Sequence, residues 1–253
     1  MKIVGVIPAR YQSSRFPGKP LADILGKPMI WWVYNQCKKV KYFDEVVVAT
    51  DDSEILNKCK ELDLNVMLTS KRHKTGTDRV AEIAQKIPAD LIVNIQGDEP
   101  LLEPKTIEQA IIPFYNDSNL MITNLMTEIR DPVEAVNYTI PKVITNKENV
   151  GIYLTRSTAP YPKGSLNYCY YKQVCVYGFR PSALKFFYEY GLKYGKSKME
   201  NIEDIEILRF IENGFKVQYI NVDTDSVAVD TSKDLEKVLK IMDKNYLRGK
   251  SNE

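Results

Sequence analysis

The stretch KIVGVIPARYQSSRFPGKPL, residues 2–21, decides how the rest of the chain is interpreted. A β-branched apolar run from Lys2 to Ile7 ends at Pro8, and a polar loop follows before the helical pattern of Met29–Lys39 begins. A strand, a long loop and a helix in this order begin a βαβ unit. The stretch therefore predicts an α/β fold with a polar loop at the carboxyl end of its first strand.

The same alternation continues through the first half of the chain. Apolar runs at Glu45–Thr50, Asn65–Leu68 and Asp90–Gln96 predict strands, and the first and last of these have the near-continuous hydrophobicity of strands buried on both faces. Helical spacing separates them at Asp52–Leu62, with an Asp or Ser as N-cap, and at Thr77–Lys86. This alternation predicts a predominantly parallel sheet flanked by helices.

The pattern changes after a predicted helix at Lys105–Tyr115. Strand-like runs separated by Pro, Asn and Gly follow at Leu120–Leu125, Val143–Ile144, Gly151–Leu154 and Gln173–Phe179. The remaining predicted elements are helices at Pro181–Tyr190 and Ile202–Glu212, a strand at Lys216–Val222 and a helix at Ser232–Lys244. We expect one domain over residues 1–245 with an inserted mixed α/β lobe at about 125–175, and a frayed tail over 246–253.

Composition excludes several classes of protein. A chain of 253 residues that is 44% hydrophobic and 27% charged buries a sizeable core and is neither collagen-like nor disordered. The formal net charge of +2 does not indicate the broad basic face of a nucleic-acid-binding protein. No window approaches 18 apolar residues, so we expect no membrane span and a cytoplasmic location.

Histidine and cysteine usage limits the chemistry further. His73 is the only histidine, which excludes multi-histidine zinc sites and any mechanism that needs two imidazoles. The four cysteines lack the CxxC spacing of zinc ribbons and redox motifs. Carboxylates, lysines and arginines must therefore carry the chemistry.

The loop after the first strand concentrates groups that bind phosphate. It contains Arg10, Ser13, Ser14, Arg15, Gly18 and Lys19. A triphosphate needs backbone N–H groups and cations that converge from one side, and this loop offers both. Lys19 precedes Pro20, so the loop is not a Walker A motif. The alternative is a solvated basic loop without a ligand.

Two aspartates are candidates for a metal site. Asp98 follows a predicted buried strand, at the sheet edge where ligands of open parallel sheets bind. Asp230 also follows a β-branched run, and a pair of carboxylates suits Mg²⁺, which prefers oxygen ligands. The alternative for Asp230 is the N-cap of the last helix.

The segment HKTGTDR, residues 73–79, lies at the start of a predicted helix. Its hydroxyls and free N–H groups could bind a base, a ribose or a phosphate. A plain capped helix is an equally good interpretation, and a lone His73 is typical of a surface or packing residue.

Together these motifs resemble a known family. IPARYQSSRFPGKPL, VATDD, TGTDR, VNIQGDEP and VDTSKDL stand in the order and spacing of the 3-deoxy-manno-octulosonate (Kdo) cytidylyltransferases, and the resemblance runs from Met1 to about Lys244. It implies a Rossmann-like nucleotidyltransferase fold, Mg²⁺ dependence and a homodimer whose contacts involve the inserted lobe. The implied reaction joins CTP and a 2-keto sugar acid to give the CMP-sugar and pyrophosphate.

The resemblance also assigns roles by position. The implied catalytic residues are Lys19, Asp98 and Asp230, of which the two aspartates are the implied metal ligands. The implied nucleotide-binding residues are Pro8, Ala9, Arg10, Ser13, Arg15, Lys19, Thr75, Gly76, Thr77, Arg79, Gln96 and Gly97. The implied sugar-acid-binding residues are Arg15, Arg156, Gln173, Tyr177, Glu206 and Ile207.

Two positions depart from the family pattern. The family's RHLGIYGY is KQVCVYGF here, which places Gln173 where the family has a sugar-contacting histidine, and EQLR is EILR, which places Ile207 at a sugar-contacting glutamine. A Kdo hydroxyl left without a partner would lose about 1–3 kcal/mol of binding free energy. The acceptor is therefore Kdo or a close analogue, such as an amino or deoxy variant.

Two other functions remain open from the sequence. One is a non-catalytic nucleotide-binding regulator with the same fold. The other is a glycosyltransferase, because Asp223-Thr224-Asp225 formally matches a DxD metal motif.

Overall fold

One mixed sheet organises the chain in the computed structural model, which describes residues 1–12, 16–164, 168–224 and 226–250. The strands of this sheet are β1 Ile3–Ala9, β4 Glu45–Thr50, β5 Val66–Leu68, β6 Leu91–Ile95, β7 Ile122–Glu128, β8 Lys142–Thr145, β9 Gly151–Thr155, β10 Tyr171–Phe179 and β11 Gln218–Asn221. Two short strands, β2 Asp23–Ile24 and β3 Lys27–Pro28, form a separate two-stranded ribbon.

The helices cover the sheet and connect its strands. They are α1 Met29–Cys37, α2 Ser53–Glu61, α3 Gly76–Lys86, α4 Pro104–Gln109, α5 Pro113–Asn116, α6 Pro132–Val136, α7 Pro181–Tyr194, α8 Lys198–Glu203, α9 Leu208–Glu212 and α10 Ser232–Lys250, with a short 3-10 helix at Lys19–Leu21. No helix in the described part of the chain is long and apolar enough to span a membrane.

The sheet order is β11-β7-β10-β6-β1-β4-β5. Strand β10 is antiparallel to both of its neighbours, and the other pairings along this path are parallel. All strands of the path except β10 therefore run in one direction, and their carboxyl ends meet at one edge. This confirms the predicted α/β fold with a predominantly parallel central sheet.

Strand β1 shows why these sequences form buried strands. All seven of its residues are buried. Ile3 and Ile7 belong to one apolar cluster, whereas Val4 and Val6 belong to a second cluster. Because alternate side chains of a strand point to opposite faces, an uninterrupted apolar run requires a layer of helices on each face.

The predicted excursion lies between β7 and β10. It contains α6, β8 and β9, and β8 pairs with the start of β10 as well as with β9. The boundaries of the inserted lobe at about 125–175, and its role in dimerisation, stay predictions.

Two predicted helices are each divided in the structure. The helix predicted at Lys105–Tyr115 becomes α4 and α5, since Pro113 has no N–H group with which to continue the helical hydrogen bonds and instead begins a new helix. The helix predicted at Ile202–Glu212 becomes α8 and α9, because Asp204 adopts a left-handed conformation with a φ of 51°.

The last helix is longer than predicted. The sequence predicts its end at Lys244, and α10 continues to Lys250. The frayed tail predicted for residues 246–253 therefore begins within this helix, and residues 251–253 lie outside the described residues.

A buried ionic network joins α9, α8 and α3. The guanidinium of Arg209 donates to both carboxylate oxygens of Glu200, at 2.6 and 2.7 Å, and to Asp78 Oδ1 at 3.1 Å. Arg209 and Glu200 are 1% and 0% exposed. A buried charge is tolerated only when it is paired and hydrogen-bonded, so each partner depends on the others.

The first prediction concerns this network. Arg209→Met should lower the free energy of unfolding by about 3–5 kcal/mol, because it leaves the Glu200 carboxylate buried without its cation. Lys185→Met is the control, since the Lys185–Glu189 pair is exposed and 3.8 Å apart, and should change the free energy by less than about 0.5 kcal/mol. Urea unfolding measures both, and equal losses in the two variants would contradict the prediction.

Candidate active site

Several segments converge at the carboxyl edge of the sheet. A Cβ atom placed on Gly97 would lie 3.2 Å from the carbonyl oxygen of Pro8, so the segment after β6 passes close to the end of β1. A Cβ atom on Gly76 would lie 3.5–3.7 Å from Pro8 Cγ, Gln96 Nε2 and Glu206 Oε1. The structure therefore brings together these five residues, which the sequence assigned to a site.

Lys19 and two aspartates form a charged cluster at this edge. The Lys19 ammonium lies 2.7 Å from Asp98 Oδ2 and 3.4 Å from Asp230 Oδ1. The loop reaches this position because Gly18, in the left-handed region with a φ of 71°, begins the 3-10 helix of Lys19, and its N–H donates to the Tyr11 carbonyl at 2.8 Å. The three predicted catalytic residues are thus neighbours.

A main-chain hydrogen bond places the two aspartates side by side. The N–H of Val229 donates to the carbonyl oxygen of Asp98 at 2.8 Å. The capping contacts of α10 lie one residue further on, where Thr231 N donates to Asp234 Oδ2 at 2.9 Å and Asp234 N to Thr231 Oγ1 at 3.4 Å. The N-cap interpretation of Asp230 is therefore wrong, because Thr231 takes that position immediately before Ser232.

The cluster suits a divalent cation in its donor chemistry. Both carboxylates already share one positive charge, that of Lys19. No group of three or more metal-ligating side chains occurs in the described part of the chain. Two carboxylates are nevertheless enough for Mg²⁺, which keeps several waters and takes further oxygens from substrate phosphates.

Glu99 is a neighbour of the site that sequence reasoning did not single out. Its side chain is only 7% exposed. Burial, and then the charge of Asp98, raise the pKa of Glu99 to about 7. The available signal was its place in the string Gly97-Asp98-Glu99-Pro100, but nothing in the sequence showed that this carboxyl group is buried.

The start of α3 is fully capped by protein groups. Glu206 accepts hydrogen bonds from Gly76 N at 3.1 Å and Thr77 N at 2.7 Å, and Thr75 Oγ1 accepts one from Asp78 N at 3.0 Å. These three donors have protein acceptors in the structure, and the binding of a base, a ribose or a phosphate by this segment stays a prediction. The capped-helix interpretation is confirmed, and any ligand contact of Thr75 to Thr77 must use other atoms.

The predicted arginines have different surroundings. Arg10 is exposed, and one guanidinium nitrogen donates to the Lys74 carbonyl at 3.3 Å. Arg79 is fully buried, with hydrogen bonds to Thr69 Oγ1 at 2.6 Å and Asp51 Oδ2 at 3.1 Å. Arg10 is therefore accessible to a ligand and the Arg79 guanidinium is not. The predictions for Ser13 and Arg15 fall outside the described residues.

The residues predicted to face a sugar acid divide into two groups. Gln173 and Glu206 are partly exposed, whereas Tyr177 and Ile207 are buried. Ile207 is 2% exposed and belongs to the apolar cluster of Phe179, so the structure does not bring it to an open cleft. The physical reason is its apolar side chain, which gains free energy by burial.

The guanidinium of Arg156 forms hydrogen bonds within the protein. Its guanidinium donates to four main-chain carbonyls, those of Tyr138, Thr139, Glu203 and Asp204, at 2.5–3.3 Å. These bonds hold the turn between α8 and α9 that precedes Glu206. In the structure Arg156 therefore positions a candidate sugar contact, and its own contact with a sugar acid stays a prediction.

His73 is a packing residue. Its ring pairs with Glu82 and lies edge-on to Tyr188, with centroids 6.1 Å apart. Glu82 also accepts from Ser70 N at 2.9 Å and from Lys86 at 2.6 Å. These contacts fix the segment before Lys74, whose carbonyl holds Arg10.

Comparisons with known proteins identify the fold and the family of the chain. The fold is that of nucleotidyltransferases. A structure of 4-diphosphocytidyl-2C-methyl-D-erythritol synthase from Anaerococcus prevotii matches with a TM-score of 0.63 at 14% identity and covers 96% of this chain and 99% of that one.

The cytidylyltransferase family model matches residues 4–239. A 3-deoxy-manno-octulosonate cytidylyltransferase of Geotalea uraniireducens is 40% identical, over 96% of this chain and all of that protein, and one of Parabacteroides distasonis is 42% identical, over 94% and 97%. A structure of CMP:2-keto-3-deoxy-manno-octonic acid synthetase complexed with CTP has a TM-score of 0.89 at 36% identity and covers 97% of this chain and 100% of that one. The chain belongs to the cytidylyltransferase family, among its 3-deoxy-manno-octulosonate cytidylyltransferases.

The capping of α3 by Glu206 generates a prediction. Glu206→Ala should lower the free energy of unfolding by about 1–2 kcal/mol, because two N–H groups at the positive end of a helix lose their anionic acceptor. Glu206→Gln should lower the free energy of unfolding by a smaller amount, since its amide carbonyl oxygen can still accept a hydrogen bond. Chemical denaturation measures both. Equal stability of Glu206→Ala and the exposed control Glu189→Ala would contradict this role.

Glu82 generates a prediction about pH. Burial acts to raise its pKa, but hydrogen bonds from Lys86, the Ser70 N–H and His73 outweigh it and lower the pKa to about 2. Because the pKa is lower in the folded state, the carboxylate stabilises the fold above pH 4.5 and loses this effect as the pH falls toward 2. Glu82→Gln should therefore lower the free energy of unfolding by about 2 kcal/mol at pH 7, a figure that allows for the solvent exposure of Lys86.

The measurement is the difference in unfolding free energy between wild type and Glu82→Gln at a series of pH values. We expect the difference to decline below pH 4.5. The exposed control Glu189→Gln should differ little from wild type throughout, and a Glu82→Gln difference that does not change with pH would contradict the role of the carboxylate.

Proposed function

We propose that the protein transfers CMP from CTP to a 2-keto-3-deoxy sugar acid, Kdo or a close analogue, and releases pyrophosphate. The observation that carries this proposal is the cluster of Lys19, Asp98 and Asp230 at the carboxyl edge of the sheet. The relatives named above support CTP and Kdo as the substrates, because they match this chain over nearly its whole length.

The reaction forms a bond from the sugar hydroxyl oxygen to the α-phosphorus of CTP and breaks the bond from that phosphorus to pyrophosphate. Negative charge spreads over the phosphoryl oxygens, so positioning and nearby cations supply most of the catalysis. Lys19 and the exposed Arg10 are the cations placed to neutralise the leaving pyrophosphate. Asp98 and Asp230 keep Lys19 at this edge until the substrates arrive.

We propose Mg²⁺ as the cofactor, held by Asp98 and Asp230. When bound, Mg²⁺ neutralises phosphate oxygens and lowers the pKa of a hydroxyl group near it, so that no histidine base is needed. The only histidine of the chain agrees with this proposal, because His73 is engaged with Glu82.

The acceptor is the more open part of the proposal. Kdo is favoured by the relatives, and an amino or deoxy analogue is favoured by two residues of this chain. Gln173 stands where the family has histidine, and Ile207 is buried and offers a sugar no polar group. The nucleotide half of the site has no comparable departure among its described residues.

We also propose a homodimer in the cytoplasm. Exposed apolar side chains of the segment between β7 and β10 support a dimer contact there; they include Val133, Val136, Tyr138, Ile152 and Tyr161. The four cysteines are free thiols, which suits a reducing compartment.

The function is tested by removing one carboxylate charge at a time. With CTP, Mg²⁺ and a sugar acid that the wild type accepts, Asp98→Asn or Asp230→Asn should lower the rate of pyrophosphate release at least about 100-fold, because each removes a ligand from the charge-neutralising cluster. Glu236→Gln, an exposed change on α10, should keep the wild-type rate.

Three outcomes would contradict the proposal. A variant with near-wild-type turnover would remove that aspartate from the metal site. A wild-type protein that binds CTP but releases no pyrophosphate with any sugar acid would favour the non-catalytic regulator, and hydrolysis of a nucleotide-sugar would favour the glycosyltransferase.

A further inference from the structure

A small cavity lies between the segment that precedes α3 and the carboxyl-terminal end of α7. Its volume is about 70 Å³, far below the roughly 300–1,000 Å³ of pockets for drug-sized ligands. Its lining includes Arg72 and Lys74 of that segment, Gly191 of α7, and Lys196 and Arg209. None of these residues belongs to the predicted sites for the nucleotide, the sugar acid or the metal.

The charged side chains that line this cavity are mostly positive. Four of them are cationic and only one, Asp78, is a carboxylate. Both oxygens of Asp78 already accept hydrogen bonds from the protein, Oδ1 from Arg209 at 3.1 Å and Oδ2 from Thr75 N at 3.1 Å. His73, which also lines the cavity, pairs with Glu82. The cavity therefore favours an anion over a cation or a neutral molecule.

Two of the four cations have no anionic partner in the protein. Arg72 and Lys74 are exposed, and neither side chain forms an ion pair or a hydrogen bond within the described part of the chain. By contrast, Lys196 pairs with Asp204 at 2.6 Å, and the charge of Arg209 is offset by the buried network described above. The unpaired positive charge of the cavity is therefore that of Arg72 and Lys74.

Two glycines keep the cavity open. A Cβ atom on Gly191 would lie 2.8 Å from Arg209 Nη1 and 3.2 Å from Asp78 Oδ1, so a side chain there would cover the guanidinium. Gly195 ends α7 with a φ of 77°, which few other residues adopt, and its Cβ would lie 3.9 Å from Lys74 Nζ. Its N–H donates to the Gly191 carbonyl at 3.0 Å. That carbonyl, at the negative end of the helix, is therefore already paired.

We propose that this cavity binds a phosphate-type oxyanion, with Arg72 and Lys74 as its principal ligands. Arginine offers a planar set of N–H donors that matches phosphate oxygens, and lysine offers a compact positive charge. A cavity of this size admits a phosphate group alone, so the rest of a larger molecule would lie in solvent. The ligand is free phosphate or the phosphate group of a small monoester, which share this chemistry. The site is separate from the cluster of Lys19 and the two aspartates and does not depend on the proposed transfer.

The experiment measures the binding of radiolabelled inorganic phosphate to the full chain by equilibrium dialysis. Arg72→Gln and Lys74→Gln each remove a charged donor, so each should raise the Kd of this site about 10-fold, the effect of one lost hydrogen bond to a charged group. At a concentration that saturates wild type, the double variant should bind about one phosphate fewer per chain. Phosphate held by the first loop contributes equally to all variants and does not affect this difference.

Lys71→Gln is the matched control. Lys71 is exposed in the same segment and does not line the cavity. The variant removes the same charge from the same surface, and it should change the Kd for phosphate less than about 2-fold. Both pocket variants and the control alter exposed side chains, so we expect all of them to fold.

Competition with the labelled phosphate identifies the source of the ligand. Glycerol 3-phosphate that displaces phosphate would show that the site accepts monoesters, and failure to displace it would restrict the site to the free anion; the site stands in either case. Chloride at the same ionic strength should not displace phosphate. Displacement by chloride would reduce the site to a general attraction for anions and would overturn the proposal.

Two further results would overturn the proposal. One is equal phosphate binding by wild type and the double variant. The other is a loss in Lys71→Gln as large as that in Lys74→Gln, which would assign binding to the basic segment as a whole rather than to the cavity. Because neither CTP nor a sugar acid is present, none of these results bears on the proposed function.

Discussion

One main-chain hydrogen bond, from Val229 N to the Asp98 carbonyl, holds the site together. It joins the segment after β6 to the segment before α10, which lie far apart in the sequence. Without it the two carboxylates would belong to separate loops, and Lys19 would have no common place between them. Because the bond involves backbone atoms, its geometry does not depend on the identity of either side chain. The main chain therefore brings the two aspartates together, and their carboxylates remain available for the chemistry of the site.

The sequence predicts what is local. The apolar run of β1, the helical spacing of α3 and the carboxylate at the end of β6 each follow from neighbouring residues, and the resemblance of the motifs assigned them to one family. Three residues show where prediction from the sequence fails. Glu206 caps a helix that begins 130 positions earlier. Ile207 is buried in an apolar cluster that also contains residues of α7 and β10. Asp230 is not the N-cap of the helix that it precedes. Each depends on packing between distant segments, which spacing along the chain does not contain.

The charges of the chain are also paired locally. The chain as a whole is nearly neutral, with a formal net charge of +2, and the cations of the first loop face carboxylates that lie close by. The Lys19 ammonium pairs with both carboxylates and offsets their mutual repulsion. Because one cation pairs with both carboxylates, any movement of Lys19 changes the electrostatic surroundings of both at once.

The reversed direction of β10 has a consequence for how this enzyme family can diversify. A parallel strand brings only its last residues to the carboxyl edge, where the first loop follows β1 and Asp98 follows β6. An antiparallel strand brings its first half to the same edge, so Gln173 and its neighbours reach this edge on a segment separate from the one that carries Arg10 and Lys19. Under the proposed function, the nucleotide and the sugar acid therefore contact segments of strands that run in opposite directions. Under the proposed function, substitutions in β10 can therefore change the choice of acceptor without changing the residues that bind CTP.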